Sequence, residues 1–137
     1  MTAINQQRRQ AEALYFDGVR LMQAGEDARA EDCFRQVLQL TPELAEAHLN
    51  LGFLSNKRGD VEAAESCYRH AVAFDPSCPQ GHLNLGAILA ERKRFAEAEA
   101  AYSQAIALRP DEAAGWSNLG ALYACMKRET EAEQCLR

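Results

Sequence analysis

The sequence lacks most of what would point to a membrane or to chemistry. No run approaches the ~18 consecutive apolar residues of a membrane span, and 26% of the residues are charged. The N-terminal stretch MTAINQQRRQ is polar, with no apolar core behind its arginines. It does not have the form of a secretory signal, and the expectation is a cytoplasmic protein. Positive charge is in deficit: 15 Lys and Arg against 20 Asp and Glu give a net charge of −5. Nucleic-acid binders ordinarily carry a basic face, so neither nucleic acid nor membrane is expected as a partner. The five cysteines, at 33, 67, 78, 125 and 135, include no CxxC pair, which removes the usual redox and zinc spacings. There is no phosphate loop, no HExxH and no GxSxG. His48, His70 and His82 have no evident nucleophile to pair with. The sequence thus predicts no catalytic residues, no metal ligands and no cofactor.

Proline and glycine are scarce too, at 4 and 8 of 137 residues, and their placement decides the fold. Gly18, Gly52, Gly86 and Gly120 stand 34 apart. Pro42, Pro76 and Pro110 keep the same step, as do Ala30, Ala64, Ala98 and Ala132, and the large residues Phe34, Tyr68, Tyr102 and Leu136. The string HLNLG occurs at His48–Gly52 and again at His82–Gly86. Internal repeats of this length indicate an array of small supersecondary units. The units are residues 11–44, 45–78, 79–112 and an incomplete 113–137, preceded by a polar segment, 1–10.

Each unit holds two stretches with apolar residues at three- and four-residue spacing, the mark of amphipathic helices. Gly25 and Gly59 suit a left-handed turn after the first helix. The prolines end the second helix, because the residue before a proline is pushed out of the helical region. Pro79 can open the next helix at its first position. Gly at unit position 8 and Ala at position 20 permit close approach of the two helices, where a larger side chain would overpack. The large residue at position 24 is expected to fill the space between hairpins, since one hairpin cannot bury its own apolar face and stacking supplies the core.

The pattern resembles the tetratricopeptide repeat (TPR) family over nearly the whole chain. The residues that carry the likeness are Trp116 at position 4, Leu119 and Gly120 at 7–8, Ala98 at 20, Tyr102 at 24 and Pro110 at 32. The resemblance implies an all-α, right-handed superhelical solenoid of antiparallel helix hairpins, with three full repeats and a truncated fourth. Asp17, Ser55, Lys93 and Lys127 depart from the family pattern and put local packing in question.

Within HLNLG, Leu51, Gly52, Leu85 and Gly86 are expected in the core. His48 and His82 hold the position of Leu14 and Trp116, so a stacked imidazole in the hairpin contact competes with metal ligation, for which further converging ligands are missing. Asn50 and Asn84 remain, with Asn118 in the same register. Asn is a poor helix-interior residue, because its amide competes for backbone hydrogen bonds. TPR arrays similar to those of O-GlcNAc transferase carry such an asparagine ladder in a concave groove lined by first helices. An amide both donates and accepts, so it can hold any peptide backbone. Helices roughly 10 Å apart would meet a bound strand, rising about 3.3 Å per residue, at roughly every third residue. The alternative is that the amides bond a neighbouring helix and set the pitch.

Further groove candidates are Tyr15, Phe16, Val19, Leu49, Phe53, Lys57 and Leu83. Tyr15 and Phe16 form an apolar patch of the kind that marks binding sites, unless segment 1–10 covers them. The family's clamp for chaperone C-terminal carboxylates uses Lys and Asn where this chain has Tyr15 and Val19, which argues against that partner class. Basic runs at Lys57-Arg58, Arg92-Lys93-Arg94 and Lys127-Arg128 fall where first helices are expected to end. They either complement the helix dipole or form a basic ridge. Equivalent cysteines about 10 Å apart exceed the ~7 Å Cα limit for a disulfide, which predicts free thiols.

The expected function is a non-catalytic scaffold that binds a protein or extended peptide in its groove. The alternative is an assembly or substrate-recruiting module at the N-terminus of a longer enzyme such as a glycosyltransferase. Repeat 4 stops partway through its second helix, which predicts a continuing chain or a homodimer formed through that helix.

Overall fold

The computed structural model describes residues 2–135, with side chains described through Thr130. Among the described residues there are seven α-helices and no strands. None of these helices is long and apolar enough to cross a membrane. The chain divides into two compact units, one ending at Pro76 and the other beginning at Ser77.

In the first unit α1 (Ala3–Gln23) pairs with α2 (Asp27–Leu40), and α3 (Ala45–Lys57) pairs with α4 (Val61–Phe74). Segment 3–10 is not a separate arm but the opening of α1, capped where Thr2 Oγ1 accepts from the Asn5 amide at 3.3 Å. Gln7 donates to the Leu40 carbonyl at 2.9 Å, so the extension of α1 satisfies one of the orphan acceptors at the end of α2. In the second unit α5 (Pro79–Glu91) pairs with α6 (Phe95–Leu108), and both contact α7 (Ala113–Cys135).

Two local devices cut the helices to length. After α1, α3 and α5 a residue turns left-handed: Gly25 at φ 81°, Gly59 at φ 89° and Lys93 at φ 63°. Around each, paired backbone bonds close the helix end, as in Glu26 N to Leu21 O (2.9 Å) with Gly25 N to Met22 O (3.1 Å). After α2, α4 and α6 the residues before proline, Thr41, Asp75 and Arg109, have left the helical region, at φ near −138°, −137° and −140°.

The hairpins close on bare backbone. A Cβ on Gly18, Gly52 or Gly86 would lie 2.8, 2.7 or 2.6 Å from the ring of Phe34, Tyr68 or Tyr102 respectively. The position-24 ring therefore sits on the position-8 glycine of its own hairpin. Phe34 also reaches the next hairpin, in a cluster with Ala30, Leu51 and Leu54. A second cluster, Ala11, Val37 and Ala47, joins α1 and α2 to α3.

The fourth unit departs from the register. Its spacing predicts a turn at Lys127 and a short second helix, but α7 runs unbroken through Lys127 and Arg128 to Cys135. A left-handed lysine costs about 1–2 kcal/mol, a cost that a continuing helix avoids. Lys93 bears it because it launches α6, which buries Ala98, Ala101, Tyr102 and Ala105. With no helix among the described residues folded back on it, Gly120 faces open space, whereas the sequence predicts a close hairpin contact there. Gly115 makes the close approach instead: a Cβ there would lie 2.8 Å from Ile106. Leu136 and the side chain of Ala132 lie outside the described residues.

Candidate functional site

The position-4 side chains close the loops between hairpins. His48 Nε2 bonds the Pro42 carbonyl at 2.8 Å, and Trp116 Nε1 donates to the Pro110 carbonyl at 2.9 Å. The signal for this was in the sequence, a ring N–H six residues after each proline, but spacing alone does not show which atom it meets. His48 is buried and stacks on Phe74 at 5.5 Å, with His70 at 5.1 Å. Burial pushes its pKa down and the neighbouring His70 adds to the shift, while the Pro42 carbonyl opposes it. No group of three or more His, Cys, Asp or Glu among the described residues is placed to hold a metal. Cys33, Cys67, Cys78 and Cys125 are free thiols, and burial raises the pKa of Cys67 and of Cys33.

The first helices carry the asparagines. In the first unit Asn50 on α3 is half-buried and donates to the Tyr15 hydroxyl of α1 at 3.2 Å. One of its donors is thus committed to a helix–helix bond. In the second unit Asn84 on α5 is half-buried and accepts from Gln80 at 2.8 Å, and Asn118 on α7 is half-buried. The Tyr15 ring packs against Phe34 at 5.8 Å. Its pKa is raised by burial first and by the Glu46 carboxylate second, with the Asn50 amide opposing.

Phe16 is 68% exposed and Phe53 50%. Segment 3–10 cannot cover Tyr15 and Phe16, because it continues the same helix. Beside them lies a 390 Å³ pocket lined by Glu12, Tyr15, Phe16, Leu44 and Glu46. Val19 and Leu49 are half-buried, and Val19 packs on the Phe34 cluster.

Two candidates belong elsewhere. Leu83 is only 6% exposed, a core side chain that a peptide cannot reach. It lies on α5, which also buries Leu85, Ile88 and Leu89. A helix apolar on most sides is covered on most sides, and Leu83 falls on a covered side. Lys57 is drawn to Asp27 at the start of α2, at 2.9 Å. Three more basic residues are similarly engaged: Arg58 meets Glu31 and Asp60 at 2.9 and 3.1 Å, Lys93 meets Glu129 at 3.0 Å, and Arg94 meets Glu97 at 2.6 Å. The turns after α3 and α5 therefore do not form a row of unpaired cations.

A family model described as the cilia and flagella-associated protein 70 middle TPR-like domain matches residues 43–137. No curated protein sequence matches. The structure resembles the first TPR of Spaghetti (RPAP3), solved with the HSP90 peptide SRMEEVD, at TM-score 0.82 and 20% identity, covering 87% of this chain and 94% of that one. It resembles part of the Thermobaculum terrenum O-GlcNAc transferase at TM-score 0.79 and 29% identity, covering 89% of this chain but 23% of that one. It resembles MamA protein at TM-score 0.81 and 21% identity, covering 96% and 72%. These likenesses and the helix pairs make the fold an all-α TPR solenoid.

Proposed function

The chain belongs to the family of the cilia and flagella-associated protein 70 middle TPR-like domain, and we propose that it is a non-catalytic scaffold that binds an extended peptide segment of a protein partner. The observation that carries this reading is the first-helix surface of unit one. Phe16 and Phe53 stand exposed there, beside the Asn50 amide and an open pocket. Large apolar side chains left in water next to a hydrogen-bonding amide suit a partner that brings both backbone and side chains. Asn84 and Asn118 offer the same chemistry from the first-helix register of unit two. Solved neighbours support the class: RPAP3 TPR domains are seen with HSP90 and HSP70 peptides. The ligand class here differs, because Tyr15 and Val19 offer no positive charge to a free carboxylate.

A second reading rests on the likeness to the O-GlcNAc transferase, in which the matched part is 23% of a longer enzyme. On that reading the array recruits substrate for a catalytic domain elsewhere in a longer chain.

A peptide selected on the wild-type protein from a random library is the probe that tests the scaffold reading. Asn50→Ala, Asn84→Ala and Asn118→Ala combined should weaken its binding at least tenfold, since each hydrogen bond contributes about 0.5–1.5 kcal/mol. Helicity should stay near wild type, and melting should fall no further than the loss of the Asn50–Tyr15 bond requires. Tyr15→Phe is the control for the structural bond of Asn50. Unchanged affinity in the triple variant contradicts the asparagine reading.

A further inference from the structure

We infer that the pocket of unit one receives an arginine side chain of the bound peptide. This rests on the peptide-binding reading and adds a specificity to it. The pocket's walls are aromatic. The Tyr15 ring is fixed by Phe34 behind it and by Asn50 at its hydroxyl. The Phe16 ring stands edge-on to it, at 5.8 Å and 72°, largely in solvent. Leu44 adds an apolar side, and Glu12 of α1 and Glu46 of α3 bring carboxylates from two helices.

Charge selects the occupant. Asp17, Glu26, Asp27, Glu31 and Asp60 of the same unit each meet an arginine or lysine. Glu12 and Glu46 form no ion pair among the described residues, although the Glu46 carboxylate lies against the Tyr15 hydroxyl and Arg8 lines the adjoining hollow beside Glu12. An apolar side chain seated here would displace part of the water around two carboxylates and offer them no donor, which is unfavourable. An acidic one would be repelled. A guanidinium answers both features: it stacks on aromatic faces and its planar fork matches carboxylates. It also sheds water more readily than the compact ammonium of lysine. A peptide backbone held at Asn50, which bonds Tyr15 directly, passes beside the pocket and can drop a side chain into it.

The test uses fluorescent peptide pools, degenerate at every position except a fixed central arginine, lysine, citrulline or leucine, titrated against the full chain. The arginine pool should bind about fivefold to tenfold tighter than the citrulline pool, the size expected of an exposed cation–aromatic contact joined by ion pairs. The preference should shrink with added salt. It should vanish in Glu12→Gln/Glu46→Gln, read as the ratio of arginine to citrulline binding within that variant. Equal binding of arginine and citrulline, or tightest binding of leucine, overturns the inference. Lysine equal to arginine overturns the guanidinium in favour of any cation. If every pool weakens in the triple asparagine variant but no arginine preference exists, the pocket inference fails and the scaffold reading stands. If the preference follows Glu12 and Glu46 while the asparagine variant binds every pool normally, the pocket stands and the asparagine reading fails.

Discussion

Gly86 and Gly120 occupy the same register on α5 and α7 and have opposite surroundings. A Cβ on Gly86 would strike the Tyr102 ring at 2.6 Å, while Gly120 has nothing within 4 Å. The difference is not in the glycines. It lies seven residues further on, where Lys93 takes a left-handed conformation and turns the chain back, and Lys127 stays helical and does not. A repeat residue has its structural role only when the partner helix that gives it the role is in place.

The largest effect expected from breaking this comparison is at Gly86. Gly86→Leu drives a side chain into Tyr102, and overpacking of this kind costs about 1–3 kcal/mol. Gly120→Leu should instead be neutral or stabilising by up to about 1 kcal/mol, because leucine replaces a poor helix former in open space. Urea denaturation of the pair settles the matter: equal losses would mean that a helix covers Gly120 in solution. Next comes Gly59→Ala. The site has room, but its φ of 89° belongs to glycine, so a loss of about 1 kcal/mol is expected from backbone strain alone. A loss exceeding that of Gly86→Leu would reverse the assignment of which glycine packs and which turns.

A single substitution at the two lysines sharpens the comparison with opposite signs. Lys93→Gly relieves a left-handed non-glycine residue and should stabilise by up to about 1 kcal/mol, less whatever the surface pair with Glu129 contributes. Lys127→Gly interrupts a continuous helix and should cost about 1 kcal/mol, with a measurable loss of helicity by circular dichroism. The smallest effect concerns pH. His48 has its pKa lowered below the ordinary 6.5 by burial. The unfolded chain therefore takes up the proton first, and stability present near neutrality declines as pH falls below about 6.5. His48→Gln should flatten that part of the stability–pH curve, and an unchanged slope would assign it to other groups.

The fold was legible wherever a residue's backbone demands left one choice. Gly25, Gly59 and the three prolines mark helix ends because φ and ψ are restricted there, and the structure breaks at those places. Lys93 and Lys127 share a letter and a register, so only the burial of the helix that follows separates a turn from a continuation. The site was legible in part. Phe16, Phe53 and Asn50 are where first-helix periodicity places them, on a surface that remains open in unit one. Leu83 was not, because periodicity gives the direction of a side chain but not what covers it. Lys57 was not, because its partner, Asp27, lies 30 residues away in sequence and on another helix. The pairing of Glu12 with Glu46 around Tyr15 is likewise tertiary, built from residues of two helices.

The central claim is that this chain binds peptide through its first helices. Backbone amide shifts of the isotope-labelled chain, titrated with a peptide selected on it, test that most directly. The account predicts perturbations centred on Phe16, Asn50, Phe53, Asn84 and Asn118, with α2, α4 and α6 largely silent. Perturbations confined to those second helices would contradict it.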